Sequence, residues 1–282
     1  MNSSLSTLSY ILDIPNRFRG DEYVTTFADY GDIILYCSVL YVILVWVAPT
    51  QVMQHRPAFD LRLLLILWNF MLTVFSTLGA ISCTHGLLLL LRTQGFYDTT
   101  CFFKKDIRYN GELGFWLYAF IISKIPEMLD TVFLVLQKKP VIFLHWYHHL
   151  TVMLFCWHAG YTFNPSGLWF AAMNYSVHSV MYFYYFACAC GYRRVVRPVA
   201  PFITTLQILQ MVVGTFIVCY TAFHQHISGR GCGVDPINIR IGLVMYLSYL
   251  FLFVMFFFGA YSRQRPSKSV TGGVAKLNEY KK

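Results

Sequence analysis

The sequence predicts an all-α membrane protein with seven transmembrane helices in a single domain, residues 1–282. Hydrophobic residues make up 57% of the chain and charged residues only 12%, about half the charged share of a typical soluble domain. The apolar residues form continuous runs, not the alternating pattern of a membrane β-barrel. A bilayer-spanning helix needs about 20 apolar residues, so seven spans leave no room for a second folded domain.

The predicted spans follow one another with short loops between them. They are Ile33–Ala48, Leu61–Cys83, Gly114–Leu136, Val141–Trp157, Gly167–Ala189, Val199–Phe223 and Ile239–Tyr261. A polar segment of about residues 1–30 precedes them, and a basic tail of about residues 262–282 follows. The apolar stretch His85–Leu91 is too short to cross a bilayer, so we expect it to be interfacial or re-entrant.

The distribution of basic residues predicts the orientation. The side of the membrane that holds Lys138, Lys139, Arg193 and Arg194 carries more Lys and Arg than the other side. Cytoplasmic loops collect such residues, so we expect the N-terminus outside and the C-terminus in the cytosol. The formal charge of +9 could also attract an anionic substrate or anionic lipid headgroups.

Two features fall on the predicted outer side. Asn2-Ser3-Ser4 is a glycosylation sequon. Cys101 and Cys232 lie in outer loops, where an oxidising compartment permits a disulfide. The alternative is a pair of free loop thiols.

The third span carries ionisable side chains where lipid would otherwise be met. Lys124, Glu127 and Asp130 lie within an arc of about 120° on one helix face. Charges inside a membrane are costly and usually functional, although a buried ion-pair network between helices would also explain them. Pro126 lies among them and should kink the helix.

The fourth span carries His145, His148 and His149, whose spacing places three imidazoles on one helix face. The short turn Gln137–Pro140 makes the third and fourth spans antiparallel neighbours. We therefore expect the acidic face to meet the histidine face near the basic side of the membrane. Substrate would then arrive from the cytosol past the basic loops.

The fifth and sixth spans carry further polar stripes. Asn174, His178 and Tyr182 follow at one-turn intervals, and Gln207 and Gln210 at a three-residue interval. Such residues could simply hydrogen-bond one helix to another. Four polar faces together nevertheless predict one shared interior cavity.

Two chemistries are open to a histidine cluster in a membrane. A di-iron desaturase or hydroxylase needs about three histidine boxes, and only one is present. A single metal held by the three histidines and His178 stays open. In acyl transfer, neutral imidazole serves as a nucleophile toward thioesters or as a general base. Cys156, about 10 Å beyond His149 along the helix, is a second candidate nucleophile.

Together these motifs resemble those of the ELO fatty acid elongases in order and spacing. The motifs are Lys124-x-x-Glu127-x-x-Asp130-Thr131, His145-x-x-His148-His149, Asn174-x-x-x-His178-x-x-Met181-Tyr182-x-Tyr184-Tyr185 and Thr204-x-x-Gln207-x-x-Gln210.

The resemblance implies a 3-ketoacyl-CoA synthase of the endoplasmic reticulum, which condenses a long acyl-CoA with malonyl-CoA. It implies six helices around an acyl-chain tunnel and no metal or redox cofactor. The implied partners are membrane lipid and the two reductases and the dehydratase of the elongation cycle. No nucleic acid is expected, and a homo-oligomer stays open. The stretch Pro140–His149 resembles the branch that acts on saturated and monounsaturated chains.

The mechanistic hypothesis assigns His148 as the nucleophile and His178, held by Asn174, as the support for the substrate oxygen. His145 and His149 would orient the nucleophile or move protons, with Asp130 or Glu127 fixing their tautomers. Lys124 would bind a substrate anion, as would the basic loops, whose residues are Lys138, Lys139, Arg193 and Arg194. The non-enzymatic alternative is a seven-span receptor or transporter.

Overall fold

The computed structural model describes residues 13–22, 24–102 and 109–262. Within these ranges the regular structure is helical, apart from one isolated bridge between Arg19 and Asn110. The predicted all-α class is therefore confirmed. The Asn2 sequon and nearly all of the basic tail lie outside the described residues.

The helices follow the predicted apolar runs in order. They are α1 (Val24–Asp29), α2 (Gly31–Trp46), α3 (Arg62–Cys101), α4 (Gly111–Ser123), α5 (Leu129–Leu136), α6 (Phe143–Tyr161), α7 (Gly167–Ala187), α8 (Arg193–Val196), α9 (Ala200–His226) and α10 (Pro236–Phe257). Short 3₁₀ or π-helical turns cover Gly20–Glu22, Ala48–Val52, Pro126–Met128, Cys188–Tyr192, Arg197–Val199 and Phe258–Ser262.

Three helical stretches of the described chain are long and apolar enough to cross a membrane. They are Arg62–Cys101, Gly167–His226 and Pro236–Tyr261, and Gly31–Trp46 is a shorter apolar helix. The protein is therefore a multi-pass membrane protein. The count of seven spans stays a prediction.

Helix α3 corrects the prediction for the stretch His85–Leu91. This stretch is not a separate segment after the second predicted span but continues α3, which runs to Cys101. The physical reason is packing: Cys83, Leu87 and Leu90 are buried at helical spacing in one apolar cluster with residues of α4 and α7. The helix departs from helical geometry only at Gly95, whose φ of 81° favours glycine.

The third predicted span is broken at its centre. Helix α4 ends at Ser123, a 3₁₀ turn covers Pro126–Met128, and α5 begins at Leu129. Proline lacks an N–H group and clashes with the preceding turn of a helix, so the predicted kink at Pro126 is confirmed. The break places Lys124 and Glu127 inside the bundle, where both are buried.

Small residues allow close packing between the long helices. Gly79 of α3 lies against the ring of Tyr175 on α7, where an added Cβ would come within 2.6 Å of the ring. Gly214 of α9 lies against Tyr246 of α10 in the same way. Small residues commonly let transmembrane helices approach closely.

A disulfide joins Cys101, at the end of α3, to Cys232 in the loop that follows α9. The pairing predicted from the outer loops is therefore confirmed. The Gly233 N–H also donates to the Cys101 carbonyl oxygen at 2.8 Å. Both loops consequently lie at the same end of the bundle.

Candidate functional site

The turn between α5 and α6 brings the third and fourth predicted spans together. Lys138 adopts a φ of 54° in this turn, and its ammonium group donates to the Gln54 carbonyl oxygen at 3.4 Å. The two helices then touch through polar atoms, since Thr131 Oγ1 lies 3.0 Å from His145 Nε2. The predicted meeting of the two polar faces is therefore present.

The histidines of α6 form one cluster. The ring centroids of His145 and His149 are 4.5 Å apart, and those of His148 and His149 are 5.5 Å apart. The His148 ring also lies beside Tyr249 of α10, at 4.9 Å between centroids. His148 makes no hydrogen bond through its ring nitrogens to any residue that the structure describes.

A chain of polar contacts links the break in the third span to α7. Lys124 Nζ lies 2.7 Å from Glu127 Oε1, and it donates to Asn174 Oδ1 at 3.1 Å. Asn174 Nδ2 lies 3.1 Å from His178 Nε2, and His178 Nδ1 lies 3.9 Å from Glu127 Oε2. These four buried side chains close a ring of contacts, and the predicted pairing of Asn174 with His178 is present.

This ring changes the expected role of Lys124. Its ammonium group is occupied by Glu127 and Asn174, and its side chain is only 2% exposed. Burial of both charges favours their pairing, because an unpaired charge in a low-dielectric interior is very costly. The structure therefore shows an ion pair here, and not a lysine that is open to a substrate anion.

The expected partners of His145 and His149 are also corrected. Asp130 accepts hydrogen bonds from Trp68 Nε1 at 2.6 Å and from the Tyr182 hydroxyl at 2.8 Å. The contact to His145 comes from Thr131, the neighbour of Asp130. The acidic side chains therefore do not fix the histidine tautomers in this structure.

A cavity of about 170 Å³, here named the histidine cavity, collects the predicted residues. Its walls include His145, His148, His149, His178, Asn174, Tyr182, Asp130, Gln207 and Gln210. Gln207 also donates to the Met181 sulfur at 3.4 Å. Four predicted polar faces thus converge on one cavity.

A second cavity, of about 560 Å³, adjoins the first and is here named the mouth cavity. Both cavities share Asp130, His145 and Tyr185 as lining residues. Lys139 and Arg193 line the mouth cavity. Arg194 lies beside Arg193 at a separate opening of about 630 Å³, whereas Lys138 lines none of these three spaces.

Cys156 lies apart from the histidines. It is buried and lines a small apolar pocket of about 50 Å³ with Phe120, Phe155 and Phe170. The histidine cavity is lined by the N-terminal half of α6, and this pocket is lined by its C-terminal half.

Sequence reasoning missed several residues that support the site. Tyr41 contacts Thr131 through its hydroxyl at 2.7 Å, and Trp68 donates to Asp130. Arg62 donates to the carbonyl oxygens of Ala189 and Cys190. Tyr41 and Trp68 lie in apolar runs, where an aromatic residue gives no signal of a distant hydrogen bond. The one available signal is that a phenol O–H or an indole N–H usually needs a hydrogen-bond partner when it is buried.

The histidines of the cavity raise the question of a metal site. Within the described ranges, no group of three or more His, Cys, Asp or Glu side chains is arranged to hold a metal ion.

The fold and the site define a multi-pass α-helical membrane protein with a buried, histidine-lined cavity that adjoins a basic mouth. The model of the ELO: GNS1/SUR4 family matches residues 26–269, and the chain belongs to this family. The resemblance noted in its motifs is thereby confirmed.

Curated relatives agree along nearly the whole chain. A protein of Trypanosoma cruzi named very long chain fatty acid elongase 4 is 53% identical over 279 residues, which cover 99% of this chain and 97% of the relative. Fatty acid elongase 3 of Trypanosoma brucei brucei is 46% identical, with 94% and 95% coverage. Fatty acid elongase 3 of Trypanosoma cruzi is 51% identical, with 86% and 89% coverage. Family and relatives support an enzyme of fatty acid elongation.

Proposed function

We propose that this protein is a 3-ketoacyl-CoA synthase that condenses a long-chain acyl-CoA with malonyl-CoA and releases CO₂ and CoA. The observation that carries the proposal is the position of His148. Its imidazole lines the histidine cavity, and its ring nitrogens make no hydrogen bond within the described part of the chain. An imidazole nitrogen that is not engaged by the protein is available to a thioester carbonyl.

The first step is acyl transfer to His148. A ring nitrogen attacks the thioester carbonyl, the C–S bond breaks, and CoA leaves as a thiol after taking the imidazole proton. The product is an acyl-imidazole. His149, at 5.5 Å between ring centroids, is the neighbour placed to pass the proton.

The second step forms the carbon–carbon bond. Malonyl-CoA loses CO₂, and the resulting enolate attacks the acyl carbon. The C–N bond to His148 breaks, and the imidazolate that leaves takes up one proton from solvent. That proton replaces the one that left with the CoA thiol in the first step. Gln207 and Gln210 line the same cavity and carry amide N–H groups, which can stabilise negative charge that develops on oxygen.

The two adjoining cavities supply a path for the substrates. Lys139 and Arg193 at the mouth cavity, with Arg194 beside it, attract the phosphates of CoA. Asp130 and His145 lie where the mouth cavity meets the histidine cavity. Apart from the short helix α8, which begins at Arg193, and the turns on either side of the mouth, the helices that line the two cavities are α3, α5, α6, α7, α9 and α10. This set supports six helices around an acyl-chain tunnel.

The remaining features follow from the same reaction. Condensation needs no metal or redox cofactor, and the product would pass to two reductases and a dehydratase. We place the enzyme in the endoplasmic reticulum membrane, with its N-terminus in the lumen and its basic loops in the cytosol. The Cys101–Cys232 disulfide supports an oxidising compartment at that end of the bundle.

The test has two parts. Purified protein is given malonyl-CoA and a panel of acyl-CoAs of increasing length, with chelator present and without O₂. We expect a product two carbons longer. No product from any acyl-CoA, with folded protein, would contradict the proposal.

The second part asks whether the route is covalent. Acyl-CoA alone should add one acyl group to the wild-type protein and to His85→Gln, whose side chain is exposed on α3. His148→Ala should gain none, whereas Cys156→Ala should still gain one. A wild-type protein that condenses but never carries an acyl group without malonyl-CoA would point to direct transfer.

A further inference from the structure

We propose that Tyr41 and Thr131 fix His145 in the tautomer that carries its proton on Nδ1. This imidazole would then enter the reaction as a hydrogen-bond donor to the acyl carbonyl oxygen and not as a base. The catalytic part of this inference rests on the proposed function. The tautomer itself does not, because it follows from contacts inside the protein.

The contacts run across three helices. The Tyr41 hydroxyl of α2 lies 2.7 Å from Thr131 Oγ1 on α5, and Thr131 Oγ1 lies 3.0 Å from His145 Nε2 on α6. Tyr41 is 3% exposed and Thr131 is fully buried. The chain of contacts is therefore shielded from competing water along these two residues.

The direction of the chain follows from counting protons. The Tyr41 hydroxyl has one proton, and Thr131 is its hydrogen-bond partner among the residues that the structure describes. A buried donor without an acceptor is costly, so Tyr41 donates to Thr131. The threonine hydroxyl also has a single proton, which is left for His145 Nε2.

A ring nitrogen that accepts a hydrogen bond cannot carry the proton of a neutral imidazole. The hydrogen bond at one nitrogen sets where the proton lies, so His145 carries it on Nδ1. His145 lines both the histidine cavity and the mouth cavity. A substrate that moves from one to the other therefore meets this ring as an N–H donor, while His148 keeps the role of nucleophile.

An independent set of contacts gives His178 the same tautomer. The Lys124 ammonium group can only donate, so the atom of Asn174 that faces it, at 3.1 Å, is the amide oxygen. The Asn174 amide nitrogen then donates to His178 Nε2, which leaves the His178 proton on Nδ1. His178 thus serves as an internal reference for the assignment of His145.

The tautomer is measured directly by ¹⁵N NMR of the full-length, ¹⁵N-histidine-labelled protein, with His145→Gln used to assign the resonances. We expect a protonated Nδ1 at His145 in the wild-type protein and in Thr131→Ser, which keeps the hydroxyl. Thr131→Val should release the ring toward the other tautomer. Tyr41→Phe should have a smaller effect, because Thr131 still has a proton to donate.

Activity should follow the same order. Loss of one oriented donor typically lowers the rate by about 10²-fold, so we expect this fall in kcat for Thr131→Val, with KM little changed. Thr131→Ser should restore most of the rate, and Tyr41→Phe should be intermediate.

The matched controls are Tyr175→Phe and Thr221→Val, whose buried hydroxyls donate to backbone carbonyls away from the histidines. Both should behave like the wild-type protein.

Three results would overturn part or all of the inference. A protonated Nε2 at His145 in the wild-type protein contradicts the tautomer, whatever the activity. If the wild-type protein shows the expected tautomer but Thr131→Val keeps the wild-type kcat, the catalytic role is contradicted. If the wild-type protein shows the tautomer but condenses no substrate, the proposed function fails and the tautomer stands. If Thr131→Val does not fold, the wild-type spectrum and Tyr41→Phe still decide the question.

Discussion

Lys124 and Glu127 form a buried ion pair within hydrogen-bonding distance. Removal of one partner of such a pair leaves an uncompensated charge and typically costs about 3–5 kcal/mol. We expect Lys124→Met to lower the Tm of the purified protein sharply. The double variant Lys124→Met/Glu127→Gln should recover part of the loss. Arg19→Met, which breaks an exposed pair with Glu22, is the control and should change Tm little.

Trp68 holds one oxygen of Asp130 at 2.6 Å, while Tyr182 holds the other. A typical hydrogen bond contributes about 0.5–1.5 kcal/mol, so loss of the indole N–H should let the Asp130 side chain move. We expect Trp68→Phe to lower elongation activity by about 10-fold. Trp116→Phe, in an aromatic cluster away from the histidines, is the control. Equal activity in both variants would show that Trp68 does not position Asp130.

At the residue scale, the sequence predicts local patterns and misses long-range partners. The spacing of His145, His148 and His149 is a property of one helix, and the structure places all three on one cavity. The contact between Tyr41 and Thr131 joins residues 90 positions apart. No periodicity within one segment can reveal such a contact, because it depends on how the helices pack.

Among the helices, the contact between α9 and α10 gives a test of packing. An added Cβ at Gly214 would lie 2.2 Å from the Tyr246 ring, so the helices or the ring must shift. Overpacking of this kind costs about 1–3 kcal/mol. We expect Gly214→Ala to lower Tm, and Gly214→Ala/Tyr246→Leu to recover part of it. Gly259→Ala, where a Cβ meets open space, should have no effect.

The sequence predicts where most helices begin and end, but it misplaces the end of α3. The apolar run breaks near Cys83 because Thr84, His85 and Gly86 interrupt it. The helix nevertheless continues, since Leu87 and Leu90 bury themselves in the same cluster as Cys83. Tertiary packing therefore overrides the local loss of hydrophobicity.

For the whole molecule, the disulfide predicts a stability that depends on redox conditions. It closes a loop across 131 positions of the chain. A native disulfide typically contributes about 2–5 kcal/mol, and the contribution grows with loop length. We expect Cys101→Ser or treatment with reductant to lower Tm. Cys219→Ser, which changes an exposed free thiol, is the control and should keep the Tm of the wild-type protein. If Cys101→Ser and the reduced protein also keep that Tm, the expectation is contradicted.

The overall architecture was predictable in class but not in detail. The low share of charged residues excludes a soluble domain, and the continuous apolar runs then predict a polytopic helical bundle. The shared cavity is predictable because polar faces on four membrane spans avoid lipid by facing one another. Its division into adjoining spaces of about 170 and 560 Å³ depends on side-chain packing that no single segment encodes.

The disulfide also divides the chain into a covalent ring and two arms. The ring runs from Cys101 to Cys232 and contains every histidine of the cavity. Tyr41 and Trp68 reach it from one arm, and Tyr249 reaches it from the other. A protease cut in the ring between α6 and α7 would therefore leave one covalent molecule until reduction separates it. The halves of the histidine cavity would stay tethered although the backbone between them is open.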